Sequence, residues 1–416
     1  MKLKLLFALL VFQVSLAQHR TCGMQEQMQR IMNDPAQRQA YLDQQSKFET
    51  ELQRINSNSN RSTNVVIRIP VAVHYPSAAA ATAAVKTCLK NLAQKQIDIL
   101  NADYNGTNAD IANYANDAQY YPGTNTGSLQ VQFVLATQNH PAGTGLVNGD
   151  VAVTFGTDFL SGADTDATWA GYCNFVVRNL SGGTLGYSPL GGSPSSGMTV
   201  VIDNNAFGAT LTTTPTSCTG YVPGAPFNKG RTLTHELGHF FNLDHTFTAC
   251  DGANCATSGD RVCDTPDQST EDYNCPGAGS VQGCTSYALT MNYMDYVDDA
   301  CMYMFTAGQA TRMQAWYNAI ATQLTTTALA NEEYLQSYFS IYPNPNKGSF
   351  NIEFKDFSNS YSVEVFDITG KTIYENNFEQ SSNLVQTINI QNATSGVYFI
   401  NVKSDKGIVT KKLIIQ

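Results

Sequence analysis

The sequence predicts an α+β fold over its larger N-terminal part and a small all-β sandwich at its C-terminal end. In the first part, an apolar strand at 65–75 precedes helical periodicity at 83–101, and more strands follow at 129–136, 172–179 and 198–203. Strands and helices in this order predict a sheet with helices packed against it. Residues 338–416 instead alternate with the period of strands, as in Tyr361–Phe366, and carry turn signals such as Asp367–Lys371. That pattern predicts a β-sandwich.

The N-terminus has the pattern of a secretory signal peptide. Lys2 and Lys4 precede an apolar run from Leu5 to Leu16, and Ser15-Leu16-Ala17 offers small residues for cleavage. The run is too short to cross a bilayer comfortably, and we expect no transmembrane segment elsewhere. Ten cysteines also fit an oxidising compartment. We predict a signal peptide at 1–17 and a secreted or surface location.

Residues 235–245 read H-E-L-G-H-F-F-N-L-D-H and hold three of the six histidines of the chain. On a helix, His235 and His239 project from one face and can share a zinc ion, with Glu236 placed to accept a proton from a zinc-bound water. A helix that carries histidines by chance can match H-E-x-x-H alone. A third histidine in register, His245, argues against that alternative.

The third histidine requires a turn. His245 follows His239 by six residues, so the helix must end and the chain must fold back. In the long zincin pattern H-E-x-x-H-x-x-G-x-x-H, a glycine makes this turn because it tolerates positive φ. Here the position is Asn242, and asparagine is the next most comfortable residue in the left-handed region.

A second group of motifs resembles one branch of the metzincin proteases. Asn292–Tyr296 resembles the methionine turn beneath the metal, with Met294 as its methionine. Together with His245–Phe247, the segments 259–266 and 298–302 resemble the pappalysin branch, in particular its secreted bacterial and archaeal members. The resemblance covers about Val65 to Gln314.

It implies a metzincin-like zinc protease domain at 62–330, with a mixed sheet, an active-site helix and a loop-rich lower subdomain stapled by disulfides. Gly182–Tyr187 would precede an edge strand over the cleft, which can hold extended protein or peptide substrates.

Six cysteines lie close together after the zinc motif: Cys250, Cys255, Cys263, Cys275, Cys284 and Cys301. The family resemblance implies the pairs Cys255–Cys284 and Cys275–Cys301, which leaves Cys250 and Cys263 as a further pair. A second zinc site is an alternative, although no C-x-x-C pair is present among them. Elsewhere, Cys173 and Cys218 can pair, and Cys88 is expected to be a buried thiol.

Residues 18–61 are rich in Gln, Asn, Asp and Arg with helical spacing, and we interpret them as a removable propeptide cut near Arg54 or Arg61. Within it, Cys22 follows Arg20-Thr21 and precedes a glycine. A thiolate is a good zinc ligand, so Cys22 can act as a latency switch that blocks the site of the catalytic water. Similar Arg-Cys-Gly switches occur in the family, although Thr21 interrupts the pattern. A disulfide with Cys88 or an unpaired cysteine is the alternative.

From His235 to Met304 there are eleven acidic residues and one basic residue, Arg261. Bound calcium would offset the repulsion among them. The resemblance implies Asp260 and Thr265 as calcium ligands, with Asp264 a further candidate. Solvated acidic loops are the alternative, since no EF-hand spacing occurs.

The resemblance also implies a specificity pocket and a mechanism. An aspartate five residues after the turn methionine lines the pocket just after the scissile bond in related enzymes, and Asp299 holds that position, with Asp298 adjacent. We therefore expect a preference for Arg or Lys there. Glu236 would serve as general base and then return its proton to the leaving amine. Tyr296 would contact the metal or the oxyanion, or else be a packing residue.

The C-terminal part at 338–416 resembles the sorting domain of type IX secretion cargo in Bacteroidetes. The resemblance is carried by Tyr342–Pro345, Gly396–Phe399 and Lys411–Ile415. It implies recognition by the outer-membrane type IX secretion machinery and removal at the surface. A carbohydrate- or protein-binding module is the alternative.

These predictions describe a secreted zinc metalloendopeptidase made as a zymogen. A non-catalytic, metal-stabilised surface adhesin is the alternative for the whole protein, and it would have been favoured by loss of Glu236 or of a histidine. A net charge of −10 without a basic cluster argues against nucleic-acid binding.

Overall fold

The computed structural model describes residues 20–57, 67–156, 164–212, 214–250, 254–329, 339–354, 361–378, 385–390, 393–404 and 407–416. The predicted signal peptide and Arg61 lie outside the described residues. Within the described ranges, no helix combines the length and the apolar composition that crossing a membrane requires.

The N-terminal part contains six α-helices and six β-strands among its described residues. The helices are α1 (Met24–Asn33), α2 (Pro35–Ser57), α3 (Ala83–Asn105), the single turn α4 (Tyr114–Asp117), α5 (Arg231–Phe240) and α6 (Ala307–Ile320). The strands are β1 (Ile67–Tyr75), β2 (Val131–Leu135), β3 (Val153–Phe155), β4 (Cys173–Arg178), β5 (Gly186–Tyr187) and β6 (Thr199–Asp203).

The strands form the mixed sheet that the sequence predicted. Their order is β2-β1-β4-β6-β5, with β3 also pairing with β1. All pairs are parallel except β5 with β6, which makes β5 an antiparallel edge strand. Strands β4 and β6 are buried along almost their whole length, as expected for parallel strands covered on both faces. The sheet therefore presents one short edge, β5, to the side where α5 packs.

Local signals explain where two helices begin and end. The Thr82 side chain accepts a hydrogen bond from the Val85 N–H at the start of α3, and Gly106 ends that helix with φ of 61°. The predicted end at residue 101 was therefore one turn too early. Thr306 and Gln309 form a reciprocal capping box at the start of α6, a helix that the sequence analysis did not predict although the Thr-x-x-Gln signal is present.

The cysteine pairing differs from the prediction. The structure joins Cys250 to Cys284 and Cys255 to Cys263, so the predicted pairs Cys255–Cys284 and Cys250–Cys263 are wrong. The reason is a tight turn in which the Thr257 and Ser258 N–H groups donate to the Asn254 carbonyl, so that the chain folds back and Cys255 meets Cys263 with the two Cα atoms 4.8 Å apart. The bond between Cys275 and Cys301 is present as expected.

Two predictions for the other cysteines are also wrong. Cys88 on α3 is bonded to Cys218, so it is not a free thiol and does not pair with Cys22. Cys173 on β4 was the partner predicted for Cys218, but it is free and buried. Burial in the sheet raises the pKa of its thiol, which favours the protonated and unreactive form.

The N-terminal segment (residues 20–57) packs against the rest of this part through α2. Phe48 is fully buried and its ring lies 5.7 Å from that of Trp316 on α6. The Arg312 guanidinium lies 4.7 Å from the centre of the Phe48 ring. Phe48 thus belongs to the same hydrophobic core as the sheet and helix α5.

The C-terminal part is the predicted β-sandwich. Its strands are β7 (Phe339–Tyr342), β8 (Ser349–Phe354), β9 (Tyr361–Asp367), β10 (Thr372–Phe378), β11 (Val385–Asn389), β12 (Gly396–Ser404) and β13 (Gly407–Ile415). They form a four-stranded sheet, β10-β9-β12-β13, and a three-stranded sheet, β11-β8-β7, with antiparallel pairing throughout. Alternate residues of these strands, such as Val363, Val365 and Ile400, form a separate core.

We predict that the bond between Cys88 and Cys218 is a major source of stability. It closes a sequence separation of 130 residues, for which the loss of chain entropy in the unfolded state is worth up to about 5 kcal/mol. Replacing both cysteines by alanine should lower the melting temperature strongly in thermal unfolding followed by circular dichroism. Cys173→Ala serves as the control, because it removes a buried sulfur without removing a cross-link, and an equal loss of stability in that variant would contradict the prediction.

Candidate active site

Helix α5 supplies the first two histidines. Its ten residues are all buried, and His235 and His239 lie on one face. Asn242 then adopts φ of 68°, as the sequence predicted, while the Leu243 N–H donates to the Gly238 carbonyl. This left-handed turn reverses the chain and returns His245 to the other two histidines.

The three Nε2 atoms form a triangle. They lie 3.2 Å apart between His235 and His245, 3.2 Å between His235 and His239, and 3.0 Å between His239 and His245. A tetrahedral zinc site with bonds of about 2.0–2.1 Å holds its ligand nitrogens about 3.3 Å apart. The spacing therefore fits a zinc ion.

The other ring nitrogens determine which tautomer is present. His235 Nδ1 lies 2.7 Å from the Tyr293 carbonyl oxygen, and His239 Nδ1 lies 2.7 Å from that of Leu243. A carbonyl only accepts, so each Nδ1 carries the proton and each Nε2 has a free lone pair. Burial also lowers the pKa of His239 to about 4, which keeps its ring neutral. Unprotonated nitrogens that face one another at this distance need a cation between them.

The methionine turn lies beneath α5. Met294 is fully buried, and a Cβ atom added to Gly238 would lie 2.5 Å from its sulfur. The backbone on either side of Met294 also contributes, since the Tyr293 carbonyl accepts from His235 and the Met294 carbonyl accepts from the Thr246 N–H. The turn therefore holds the histidine cluster from below, which is the place that the sequence analysis assigned to it.

Tyr296 lies beside the histidine cluster. Its ring centre is 5.0 Å from that of His245 and 5.7 Å from that of His235. Burial raises the pKa of its hydroxyl well above the usual range, so the group stays a hydrogen-bond donor. Both roles considered for Tyr296, contact with the reacting atoms and aromatic packing, are compatible with this position.

Glu236 is buried between the histidines and the edge of the sheet. A Cβ atom added to Gly186 on β5 would lie 2.8 Å from Glu236 Cγ, so the edge strand passes directly over the carboxylate. Burial raises the pKa of Glu236 to about 8. Its Oε2 atom lies 3.3 Å from the Cys22 sulfur, which donates to it.

Cys22 reaches the histidines through a short length of added strand. The Gly23 N–H donates to the Gly186 carbonyl, and the Leu185 N–H donates to the Thr21 carbonyl, both at 3.0 Å. The Cys22 sulfur and the nitrogens of His235, His239 and His245 all lie within 4.8 Å of one another. Burial raises the pKa of the Cys22 thiol. The four side chains offer a three-nitrogen, one-sulfur donor set, which suits zinc.

Asp299, the residue assigned to the specificity pocket, is buried beside α5 and contacts the N-terminal segment. Its Oδ2 atom accepts from the Lys229 N–H at 2.8 Å and from the Arg231 N–H at 3.3 Å. Its Oδ1 atom is 2.6 Å from Arg20 Nη2 in an ion pair whose two side chains are almost wholly buried. Asp298, the adjacent alternative, is only half-buried.

The sequence analysis missed the role of Arg20. Arg20 Nε donates to the Val297 carbonyl at 3.3 Å, and Nη1 donates to the Thr232 hydroxyl at 3.1 Å. The guanidinium carbon also lies 5.1 Å from the centre of the Phe227 ring. The available signal was an arginine two residues before Cys22, in a chain with a predicted acidic pocket.

A buried polar network supports the site from the side of α3. Asp103 accepts from the Thr234 hydroxyl on α5 and from the Tyr293 hydroxyl, both at 2.8 Å. Burial raises the pKa of Asp103 to about 6, against the opposing effect of Arg231. Arg231 in turn pairs with Asp110 and donates to the Asp299 carbonyl at 2.8 Å. This network, which the sequence did not predict, joins α3, helix α5, the methionine turn and Asp299.

The predicted calcium residues are divided between two places. Asp260 and Thr265 lie together, with the Thr265 hydroxyl 2.8 Å from each carboxylate oxygen of Asp260 and 2.7 Å from the Val262 carbonyl oxygen. Asp264 instead has both carboxylate oxygens engaged at the start of α6, by the Thr306 hydroxyl and the Gly308 N–H.

Comparisons with known proteins agree with this geometry. The family described as pregnancy-associated plasma protein-A matches residues 167–318, and the family described as secretion system C-terminal sorting domain matches residues 340–416. An extracellular metalloprotease of Arthroderma otae is 34% identical over 206 residues, which cover 42% of this chain and 70% of that protein. A second, from Pyricularia oryzae, is 34% identical over 191 residues, covering 45% of this chain and 60% of that protein.

A solved structure is also similar. A promirolysin mutant from Tannerella forsythia matches with a TM-score of 0.52 and 28% sequence identity, covering 75% of this chain and all 100% of that one. The range 167–318 matched by the first family contains the three histidines, Glu236 and Met294. The similarity to metalloproteases thus includes the site itself.

The fold and the site together define a zinc metalloendopeptidase of the metzincin class. Within that class, the chain belongs to the pappalysin family. Its sorting domain makes it a secreted or cell-surface protein.

Proposed function

We propose that this chain is the zymogen of an endopeptidase that cuts proteins before arginine, and less well before lysine. The observation that carries the proposal is the burial of Arg20 against Asp299, beside the zinc helix. The N-terminal segment there places in the pocket the kind of side chain that a substrate would supply.

The contacts of Arg20 favour arginine over lysine. Its Nε, Nη1 and Nη2 atoms each have a different acceptor, in Val297, Thr232 and Asp299. The planar guanidinium presents its donors in a fixed fork, whereas a lysine ammonium is a single point of charge. A lysine in this pocket would keep the charge of Asp299 but would leave at least one of the other two acceptors unpaired.

The chemistry is metal-assisted hydrolysis of a peptide bond. When zinc is bound by His235, His239 and His245, it polarises the scissile carbonyl and makes water a stronger nucleophile at neutral pH. Glu236, held beside β5, accepts the proton of that water and passes it to the leaving amine. The free edge of β5 aligns the substrate backbone, and the Tyr296 hydroxyl donates to the oxygen that becomes negative.

The same contacts explain latency. Cys22 takes the position beside the histidines that the water needs, and its backbone occupies the edge at Gly186. The segment pairs with β5 in parallel. Arg20 comes before Cys22 in the chain, whereas in a substrate the residue that enters the pocket comes after the scissile bond. The segment therefore crosses the cleft in the opposite direction to a substrate. A thiol rather than a peptide carbonyl therefore faces the histidines, which protects the segment from being cut. A solved relative that carries the name promirolysin supports a precursor form of this kind.

Export through the type IX secretion machinery of the outer membrane fits the C-terminal sorting domain. We propose the limits 1–17, 18–61, 62–330 and 338–416 for the signal peptide, the propeptide, the catalytic domain and the sorting domain. Arg54, one of the two proposed activation sites, has an exposed side chain on α2. The proposed physiological partners are protein substrates outside the cell.

We also propose a structural calcium ion at Asp260 and Thr265. The Thr265 hydroxyl has one hydrogen and three oxygen neighbours within 2.8 Å. Burial raises the pKa of Asp260 to about 7, which reflects a carboxylate with little compensating positive charge. Clustered carboxylate, hydroxyl and carbonyl oxygens with few donors are the ligands that calcium prefers. Asp264, because it caps α6, is not included in this ligand set.

For the activity, we predict cuts before Arg, fewer before Lys, and none with Glu236→Ala or a zinc chelator. Asp299→Asn should reduce cutting before Arg by about tenfold to hundredfold, because a charge-assisted hydrogen bond is worth about 1.5–3 kcal/mol. Thr232→Val should lower the ratio of cuts before Arg to cuts before Lys, while the enzyme stays active. Mass spectrometry of cleavage sites in a denatured protein mixture, with activated enzyme, measures all of these.

Cutting without a preference for basic residues would reject the pocket assignment but keep the protease. Absence of chelator-sensitive cutting from folded, zinc-loaded protein would favour the adhesin alternative.

For latency, we predict that Cys22→Ser and Arg20→Ala each give the intact chain measurable activity, and that the double variant gives more. Each substitution removes side-chain contacts that help to hold the segment in the cleft. The measurement is the rate of hydrolysis of a quenched fluorescent peptide with Arg after the scissile bond. Arg38→Ala, an exposed arginine on α2, is the matched control and should stay latent. Full activity of the unaltered intact chain would refute the zymogen proposal.

For calcium, we predict that millimolar Ca²⁺ raises the melting temperature of the chain, and that Asp260→Asn removes this increase. A ligand that binds only the folded state stabilises it according to its concentration relative to its Kd. Differential scanning calorimetry with and without Ca²⁺, at fixed zinc, measures the shift. Asp267→Asn is the control, and an equal shift in the Asp260→Asn variant would place the ion elsewhere or exclude it.

A further inference from the structure

The N-terminal segment contacts the rest of the protein at a second place, behind the zinc site. Asn242, the residue that stands where the zincin pattern has glycine, does more than turn the chain. Its side-chain amide forms two hydrogen bonds with that of Gln45 on α2, at 3.1 Å from Gln45 Nε2 to Asn242 Oδ1 and 3.2 Å from Asn242 Nδ2 to Gln45 Oε1. A glycine at this position could make neither bond.

Helix α2 presents a continuous face to this region. The residues of that face recur at helical spacing and contact α6, the turn at Asn242 or the main core: Gln44, Gln45, Phe48, Glu51, Leu52 and Ile55. Gln44 and Phe48, four residues apart, are both buried, whereas Leu42, Ser46 and Lys47 are exposed. A one-sided pattern of this kind is how a helix docks in a groove.

The opposing surface is formed by residues that contact one another and the end of helix α5. Arg312 Nε donates to the Asn242 carbonyl at 2.8 Å, and its guanidinium stacks on Phe48. Trp316 Nε1 donates to the Gly192 carbonyl at 3.1 Å. A Cβ atom on Gly191 would lie 2.9 Å from Gln45 Nε2 and 2.7 Å from the Trp316 ring, so only glycine permits α2 to come this close. We call this surface, formed by Gly191, Gly192, Asn242, Arg312 and Trp316, the α2-binding surface.

We propose that the α2-binding surface is a helix-docking site in its own right, and that its occupant is the excised segment, which stays bound through α2 after the chain is cut beyond Ser57. The proposal rests on the zymogen function proposed above. The reason is the separation of the contacts. Arg20 and Cys22 bind in the cleft, whereas α2 binds behind the zinc helix with its own buried aromatic residue and its own amide pair.

Two consequences follow for activation. A single cut after α2 leaves an inhibitor that is held noncovalently, so activity appears only when the segment dissociates or α2 itself is cut. A surface specific for the Gln45 amide also discriminates against helices that lack it, because an unpaired buried amide on Asn242 carries a desolvation penalty.

The test uses the full chain with Glu236→Ala, which prevents self-cutting, and with residues 58–63 replaced by the recognition sequence of a site-specific protease. After the cut, serial dilution and size-exclusion chromatography with mass spectrometry give the Kd of the N-terminal fragment. We expect the fragment to co-elute with the remainder, and to do so also when Arg20→Ala and Cys22→Ser are present, because α2 keeps its contacts.

Substitutions on the docking face give the sharper result. Gln45→Ala should raise the Kd about tenfold, and Phe48→Ala at least about a hundredfold. Asn242→Gly should resemble Gln45→Ala, and the two together should raise the Kd no more than either alone, since they remove the same pair. Gln39→Ala and Leu42→Ala, on the exposed face of α2, are matched controls and should leave the Kd unchanged.

The proposal is overturned if the cut fragment dissociates as soon as Arg20 and Cys22 are replaced. It is also overturned if the losses of binding free energy caused by Gln45→Ala and Asn242→Gly are fully additive in the double variant. These outcomes differ from failure of the zymogen function, which is judged on chains that retain Glu236. An uncut chain that is already fully active refutes latency whether or not the fragment co-elutes.

Discussion

The structure depends on holding three unprotonated imidazole nitrogens about 3 Å apart inside the protein. Their lone pairs repel one another unless a cation lies between them, and their rings must be prevented from turning away. The Tyr293 and Leu243 carbonyls hold two of the rings by accepting from their Nδ1 atoms. The Tyr293 carbonyl belongs to the methionine turn, and the Leu243 carbonyl directly follows the left-handed turn at Asn242.

The support for this cluster extends into the rest of the protein through buried charges. Asp103 joins α3 to the zinc helix and to the methionine turn, and Arg231 joins the start of that helix to the pocket residue Asp299. The metal ligands and the proposed specificity pocket thus share one set of supporting contacts. A change in this network should affect zinc affinity and substrate selection together, because the same buried side chains contact the helix of the zinc ligands and Asp299.

Local patterns were predictable from the sequence and distant contacts were not. The spacing of His235, His239 and His245 allows few helix-and-turn geometries, so the zinc site and the positive φ of Asn242 followed from it. Strand periodicity likewise located four of the parallel strands, β1, β2, β4 and β6, but not the three-residue strand β3. By contrast, Arg20 and Asp299 are 279 positions apart, and no local rule connects them. The partners predicted for Cys250 and Cys255 were wrong for a related reason. The observed pairs depend on a turn at Asn254 that is set by backbone hydrogen bonds and not by cysteine spacing.

The attachment of the N-terminal segment to the same chain as its binding sites has a kinetic meaning. In the intact protein, Arg20 and Cys22 meet their partners at an effective concentration set by the chain, which for tethered groups is commonly on the order of millimolar. Dilution therefore cannot loosen them, and a molecule that leaves a crowded cell for a large volume keeps its cleft filled. If the chain is cut as proposed, rebinding becomes bimolecular, and the volume into which the protein was released begins to determine how much of it is free.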